Sequence, residues 1–157
     1  VLERTLLALA EGVASRLRRG HVTARTVSVK VRDSAFVTST RQRTLEQPTD
    51  QTDLIWHTAL ELARPLLKGA RVRLLGVGAS HLADAEQMAL FGAVDERRRS
   101  AAAATDIIRS RYGSRAIVRA RLLDSRVAEP FERDPMTAPD ARRVGRARSE
   151  GSDPAGT

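Results

Sequence analysis

At Gly20 the hydrophobic repeat of this chain changes period. Before it, Leu2, Leu6, Leu9, Val13 and Leu17 recur at spacings of four, three, four and four, which traces one face of a helix. After it, Val27, Val29 and Val31 alternate with Thr26, Ser28, Lys30 and Arg32, the pattern of a half-buried, β-branched strand. Each such element has one apolar face to bury, so the two must share a core. The spacing predicts a helix over 1–19 and a strand over 23–32. Arg16, Arg18 and Arg19 suit the negative end of the helix dipole, and Gly20 is expected to provide a left-handed cap.

Asp33-Ser34-Ala35 is the expected turn, and alternation resumes from Phe36 to Leu45. In this second strand Arg41 and Arg43 fall on one face and Thr38, Thr40 and Thr44 on the other. The antiparallel pair is expected to line up Arg25, Lys30, Arg32, Arg41 and Arg43 along an exposed sheet face. Gln47-Pro48-Thr49-Asp50 should break the strand, with Thr49 or Asp50 capping the next helix and Asp53 supporting its positive end. Leu54, Ile55, Ala59, Leu62, Ala63 and Leu66 form the expected buried stripe of that helix, with Trp56 and His57 beside it and Gly69 closing it. Arg71 to Ala79 reads as a third strand. Its Gly76 and Gly78 fit close backbone packing better than a nucleotide loop, since no third glycine or Lys-Ser/Thr follows. The order α-β-β-α-β implies an α+β fold, an antiparallel sheet with two helices packed on one face.

Four segments are expected: a domain over 1–80, a linker with a short apolar peptide over 81–94, a helix and extended segment over 95–123, and a disordered tail over 124–157. The peptide is Gln87-Met88-Ala89-Leu90-Phe91. Asp95 to Tyr112 is helix-like and ends at Gly113, and 116–123 reads as a strand or an extended tail. The last segment is rich in Pro, Arg, Asp, Gly and Ser and lacks periodicity.

Aromatic residues make up only 3% of a chain that is 41% hydrophobic, so the core must be aliphatic. There is no cysteine, which excludes disulfides, thiolate metal sites and a cysteine nucleophile. His21, His57 and His81 lack ligand spacing, and neither a nucleophile elbow nor a phosphate-binding loop is present. No cofactor is therefore expected in this chain. No apolar run approaches the ~18–20 residues of a membrane span. The chain opens on Val1 without a signal-peptide pattern or an initiator Met, which implies a fragment or a processed chain. The formal charge is +8, and it is uneven: Arg16 to Arg43 holds eight basic residues against Asp33 alone. A local basic stripe points to a polyanionic partner more directly than the total does.

Several blocks together carry a family resemblance. Residues 6–19 (Leu-Leu-Ala-Leu-Ala-Glu-Gly-Val-Ala-Ser-Arg-Leu-Arg-Arg), 24–32 (Ala-Arg-Thr-Val-Ser-Val-Lys-Val-Arg), 40–45 (Thr-Arg-Gln-Arg-Thr-Leu), Pro48-Thr49-Asp50 and 72–78 (Val-Arg-Leu-Leu-Gly-Val-Gly) fall in matching order and spacing. This region resembles the little-finger domain of Y-family DNA polymerases of the polymerase IV type. The resemblance spans about residues 2–123. It implies contact with the phosphates of a primer–template duplex, through Arg25, Lys30, Arg32, Arg41 and Arg43. Gln87-Met88-Ala89-Leu90-Phe91 resembles the family's Gln-x-x-Leu-Phe peptide, which docks on the bacterial sliding clamp. Gln87, Leu90 and Phe91 keep the usual anchors, while Met88 and Ala89 depart from the common Leu and Ser or Asp. The palm domain, with its magnesium-binding carboxylates, would lie upstream, so this chain is expected to be inactive alone. The family's first little-finger strand would also precede the first helix. The resemblance further implies a monomer acting in the bacterial cytoplasm, at the nucleoid. Two rivals remain at this point: the same region of a catalytically inactive Y-family adaptor, and a free-standing nucleic-acid-binding α+β module.

Overall fold

The computed structural model describes residues 1–69, 71–85 and 96–123. Helix α1 (Leu2–Arg19) buries Leu6, Leu7, Ala10, Val13, Ala14 and Leu17. The buried stripe is thus centred slightly away from the one read from sequence, and Leu2 is exposed. Gly20 does not adopt a left-handed conformation; its φ is −83°, and the residue with φ of 53° is His21. The Gly20 N–H donates to Arg16 O at 3.0 Å, and a Cβ on Gly20 would lie 3.4 Å from that same oxygen. Neither a positive φ nor a tight contact therefore requires glycine at this position.

Three strands follow the order β2-β1-β3, all antiparallel: β1 (Val22–Asp33), β2 (Thr38–Thr49) and β3 (Val72–Asp84). Val27, Val29 and Val31 are buried, and they pair with Ala79, Val77 and Leu75 of β3, which also pack against the core. Directly opposed residues of antiparallel strands share a face, so these six make the floor on which the helices rest. Asp33 closes the first hairpin. Its N–H donates to Val37 O, its carbonyl accepts the Phe36 N–H, and its carboxylate accepts the Val37 N–H at 2.9 Å.

Strand β2 does not stop at Pro48. The partner of Thr26 is Thr44 and that of Ala24 is Thr49, so residues 45–48 form an irregular bulge opposite Arg25. The bulge accommodates a proline that has no N–H to give the ladder, and pairing then resumes. Strand β3 likewise passes the expected end at Ala79 and reaches Asp84. His81, at φ 53°, lies within it, and its Nδ1 is 3.0 Å from the Thr26 hydroxyl. The Ala85 N–H donates to His21 O at 3.1 Å, tying the end of β3 to the start of β1.

Helix α2 (Thr52–Leu67) follows an uncapped Gln51, whose N–H donates to the Thr49 hydroxyl. Its buried face holds Ile55, Trp56, Ala59, Leu62 and Ala63, while Leu54 is 43% exposed. Trp56 therefore replaces Leu54 in the expected stripe, and its larger apolar area gains more from burial. Helices α1 and α2 pack on each other and on one face of the sheet. Helix α3 (Glu96–Tyr112) ends at Gly113, whose φ is 94°. Residues 116–123 form no strand. They close in a 3-10 turn over Ala120–Leu122 that places Leu122 in the core, with Val118 packed against it. Among the described residues no helix is long and apolar enough to cross a membrane.

Candidate nucleic-acid interface

The register decides where the basic side chains stand. Lys30 pairs with Thr40 and Gly76, and Arg32 with Thr38 and Leu74. These positions alternate with Val29 and Val31, so Lys30 and Arg32 lie on the face opposite the helices. Arg41 pairs with Val29 and Arg43 with Val27, which puts both on the helix side of the sheet. The single basic row expected along one face is thus not formed. Its cause is the pairing itself: the odd-numbered residues of β1 oppose odd-numbered residues of β2.

The charges instead bracket an edge. Strand β2 is one of the two outer strands of the described sheet, and its residues 38–44 are exposed along their whole length. Lys30 and Arg41 are exposed on opposite faces beside this edge. Arg32 is half-buried and donates from Nε to the Thr38 hydroxyl at 2.7 Å. Arg25 sits opposite the β2 bulge and donates to Leu45 O at 3.2 Å. Arg43 is paired with Glu61 of α2, both about half exposed. In the same basic run Arg43 is held by the Glu61 carboxylate and Arg18 by that of Asp106 at 2.6 Å.

Around Lys30 the open face is built from small and polar residues: Ser28 on β1, Thr40 and Gln42 on β2, Gly76 and Gly78 on β3, with the exposed Leu74 and Leu82 to either side. A Cβ on Gly76 would meet nothing nearer than 3.9 Å, and one on Gly78 would meet only the rotatable Ser28 hydroxyl. Neither glycine is demanded by packing against the described residues. Together they leave a low floor beside Lys30, where a phosphate backbone can approach closely. Among the described residues no group of three His, Cys, Asp or Glu side chains could hold a metal ion.

A family model, the impB/mucB/samB family C-terminal domain, matches residues 1–91. The chain belongs to this family. It is the C-terminal region of a Y-family polymerase. The chain is 36% identical over 115 residues to DNA polymerase IV of Brucella melitensis, an alignment covering 71% of this chain and 26% of that protein. It is 40% identical over 124 residues to DNA polymerase IV of Desulfatibacillum aliphaticivorans, covering 75% and 31%. Against DNA polymerase IV of Caulobacter vibrioides it is 34% identical over 127 residues, covering 80% and 32%. The chain thus spans about a quarter to a third of the length of these relatives. Gln87, Met88, Leu90 and Phe91, and the tail expected over 124–157, lie outside the described residues.

Proposed function

We propose that this Y-family C-terminal domain holds duplex DNA by wrapping its phosphates around the β2 edge. The observation that carries the reading is an outer strand exposed over residues 38–44, with Lys30 beside it on one face and Arg41 on the other. Such contacts place the protein on the duplex without reading bases, which suits a polymerase that must accept any template. Arg25 and Arg32 extend the basic track, each oriented by a hydrogen bond that leaves other guanidinium N–H groups for phosphate. Arg43 contributes less, because Glu61 competes for it.

The same reading assigns Gln87, Met88, Leu90 and Phe91 to the bacterial sliding clamp. Leu90 and Phe91 supply apolar anchors for a groove, and Gln87 supplies hydrogen bonds at its rim. A weak peptide contact to a ring on DNA raises the effective concentration of the domain at the primer end. The chain itself is a monomeric binding module of a DNA polymerase working at the bacterial nucleoid. The magnesium chemistry belongs to a palm domain with its own carboxylates.

Binding of labelled primer–template across a salt series tests the DNA contact. Lys30→Ala and Arg41→Ala should each lower the salt slope, by about 0.9 for every phosphate that the variant no longer neutralises. A slope that neither substitution changes would rule out the edge. For the clamp, the Leu90→Ala/Phe91→Ala double variant should lose binding that the parent chain has; equal binding by both would remove the peptide assignment.

A further inference from the structure

Helix α3 is mounted with its charges inward. Arg99, Ala102, Asp106 and Arg109 follow a spacing of three and four, and all four are half-buried. The neighbouring apolar residues Ile107 and Tyr112 are 67% and 69% exposed. Among the described residues, none of α3 belongs to the hydrophobic core or packs against it. The helix is held instead by ion pairs to α1 and to the turn that leads into α2. Arg18 of α1 meets Asp106 at 2.6 Å, Arg99 meets Asp50 at 3.3 Å, and Arg109 meets Glu11 at 3.5 Å. Arg18 also donates to Asp50 O at 2.8 Å, so the first two pairs share one node.

The two ends beside α3 are attached differently. On its C-terminal side Leu122 is in the apolar core, and Val118 packs against that core. Between them and the helix lies Gly113 with φ of 94°, a conformation glycine adopts without strain. On the other side, β3 ends in the Ala85–His21 hydrogen bond. A charged middle therefore lies between two independently fixed ends.

We propose that α3 is a reversible ionic clasp, which undocks from the α1–α2 layer as ionic strength rises while the α/β core stays folded. The physical ground is that charge, and not apolar burial, holds the described residues of α3. Counter-ions compete for charged partners, and of the six side chains Arg99 and Arg109, at 21% and 19% exposure, are the most open to them, while Asp50 at 8% is the most shielded. Salt weakens these ion pairs, whereas burial of the Leu6, Val29 and Ile55 core does not depend on charge. Once undocked, a helix of 17 residues is marginal on its own and its amides exchange quickly. This inference stands on the geometry of α3 and does not require the DNA-binding reading.

Amide hydrogen exchange on the whole chain, in about 0.05 M and about 1 M sodium chloride, tests it. Exchange over residues 99–112 should accelerate about tenfold or more with salt, while Val27, Val29 and Val31 keep their protection. Asp106→Asn should show the fast pattern in low salt, and Asp106→Glu, which keeps the charge opposite Arg18 and leaves the Arg18 bond to Asp50 O in place, should keep slow exchange. If α3 keeps its protection in high salt, or loses it only together with β1, the clasp is overturned. Protection of β1 in each variant separates release of α3 from unfolding of the domain.

Discussion

The α1–α2 layer and helix α3 are both helical and both belong to the same described unit, yet they are held by opposite physics. Helices α1 and α2 put Leu6, Leu7, Val13, Ile55 and Leu62 against Val27, Val29 and Val31. Helix α3 puts Arg99, Asp106 and Arg109 against Glu11, Arg18 and Asp50. Apolar burial is non-directional and scales with area, so it fixes a layer firmly and tolerates small changes of angle. Ion pairs demand geometry and give a smaller net return, because each partner loses water before it gains its mate. The first arrangement makes a scaffold, and the second makes an attachment.

The largest effect expected is on the scaffold. Leu6→Ala removes a fully buried side chain and should lower global stability by about 3 kcal/mol in urea unfolding, with little dependence on salt. A comparable loss that grows with salt would erase the contrast between the two regions. Arg18→Ala should cost about 2 kcal/mol, below the ~3–5 kcal/mol of a fully buried pair, since Arg18 and Asp106 each keep 12% exposure. The loss should be local to α3, and uniform loss of exchange protection across β1 would contradict it.

The next two predictions concern the DNA face. Gly76→Glu adds a carboxylate beside Lys30 at a position where a Cβ has room. It should leave the melting temperature near the parent value and weaken duplex binding about tenfold at low salt. Unchanged binding would move the DNA off the open face. The smallest effect belongs to the Arg43–Glu61 pair, which is about half exposed on both sides. Breaking it with Glu61→Ala should change stability by about 0.5 kcal/mol at most. It should also strengthen DNA binding slightly by releasing Arg43, and weaker binding would show that Glu61 does not compete.

Much of this was legible in the residues. The change of period at Gly20 placed α1 and β1, the run from Phe36 placed the body of β2, and Gly113 marked the end of α3. The family blocks pointed to the C-terminal region of a Y-family polymerase, the family that the impB/mucB/samB model matches. The face on which Arg41 and Arg43 lie was not legible, because register depends on the length of the hairpin and its turn at Asp33. The continuation of β3 past Ala79 was hidden by His81, whose positive φ leaves no mark in a periodic pattern. Pro48 misled for a related reason: a bulge opposite Arg25 absorbs it. Arg18 read as a dipole partner at a helix end, and its true mate, Asp106, is 88 residues away. Local patterns carry local structure, whereas long-range charge pairing needs the fold.

The most direct test of the DNA edge is a nuclear magnetic resonance titration of the isotope-labelled chain with a short primer–template duplex. The account predicts shifts concentrated on residues 38–44 of β2 and on Lys30 and Arg32 of β1, with the outer surfaces of α1 and α2 quiet. Shifts confined to the helix layer, with β2 unperturbed at saturating DNA, would contradict it.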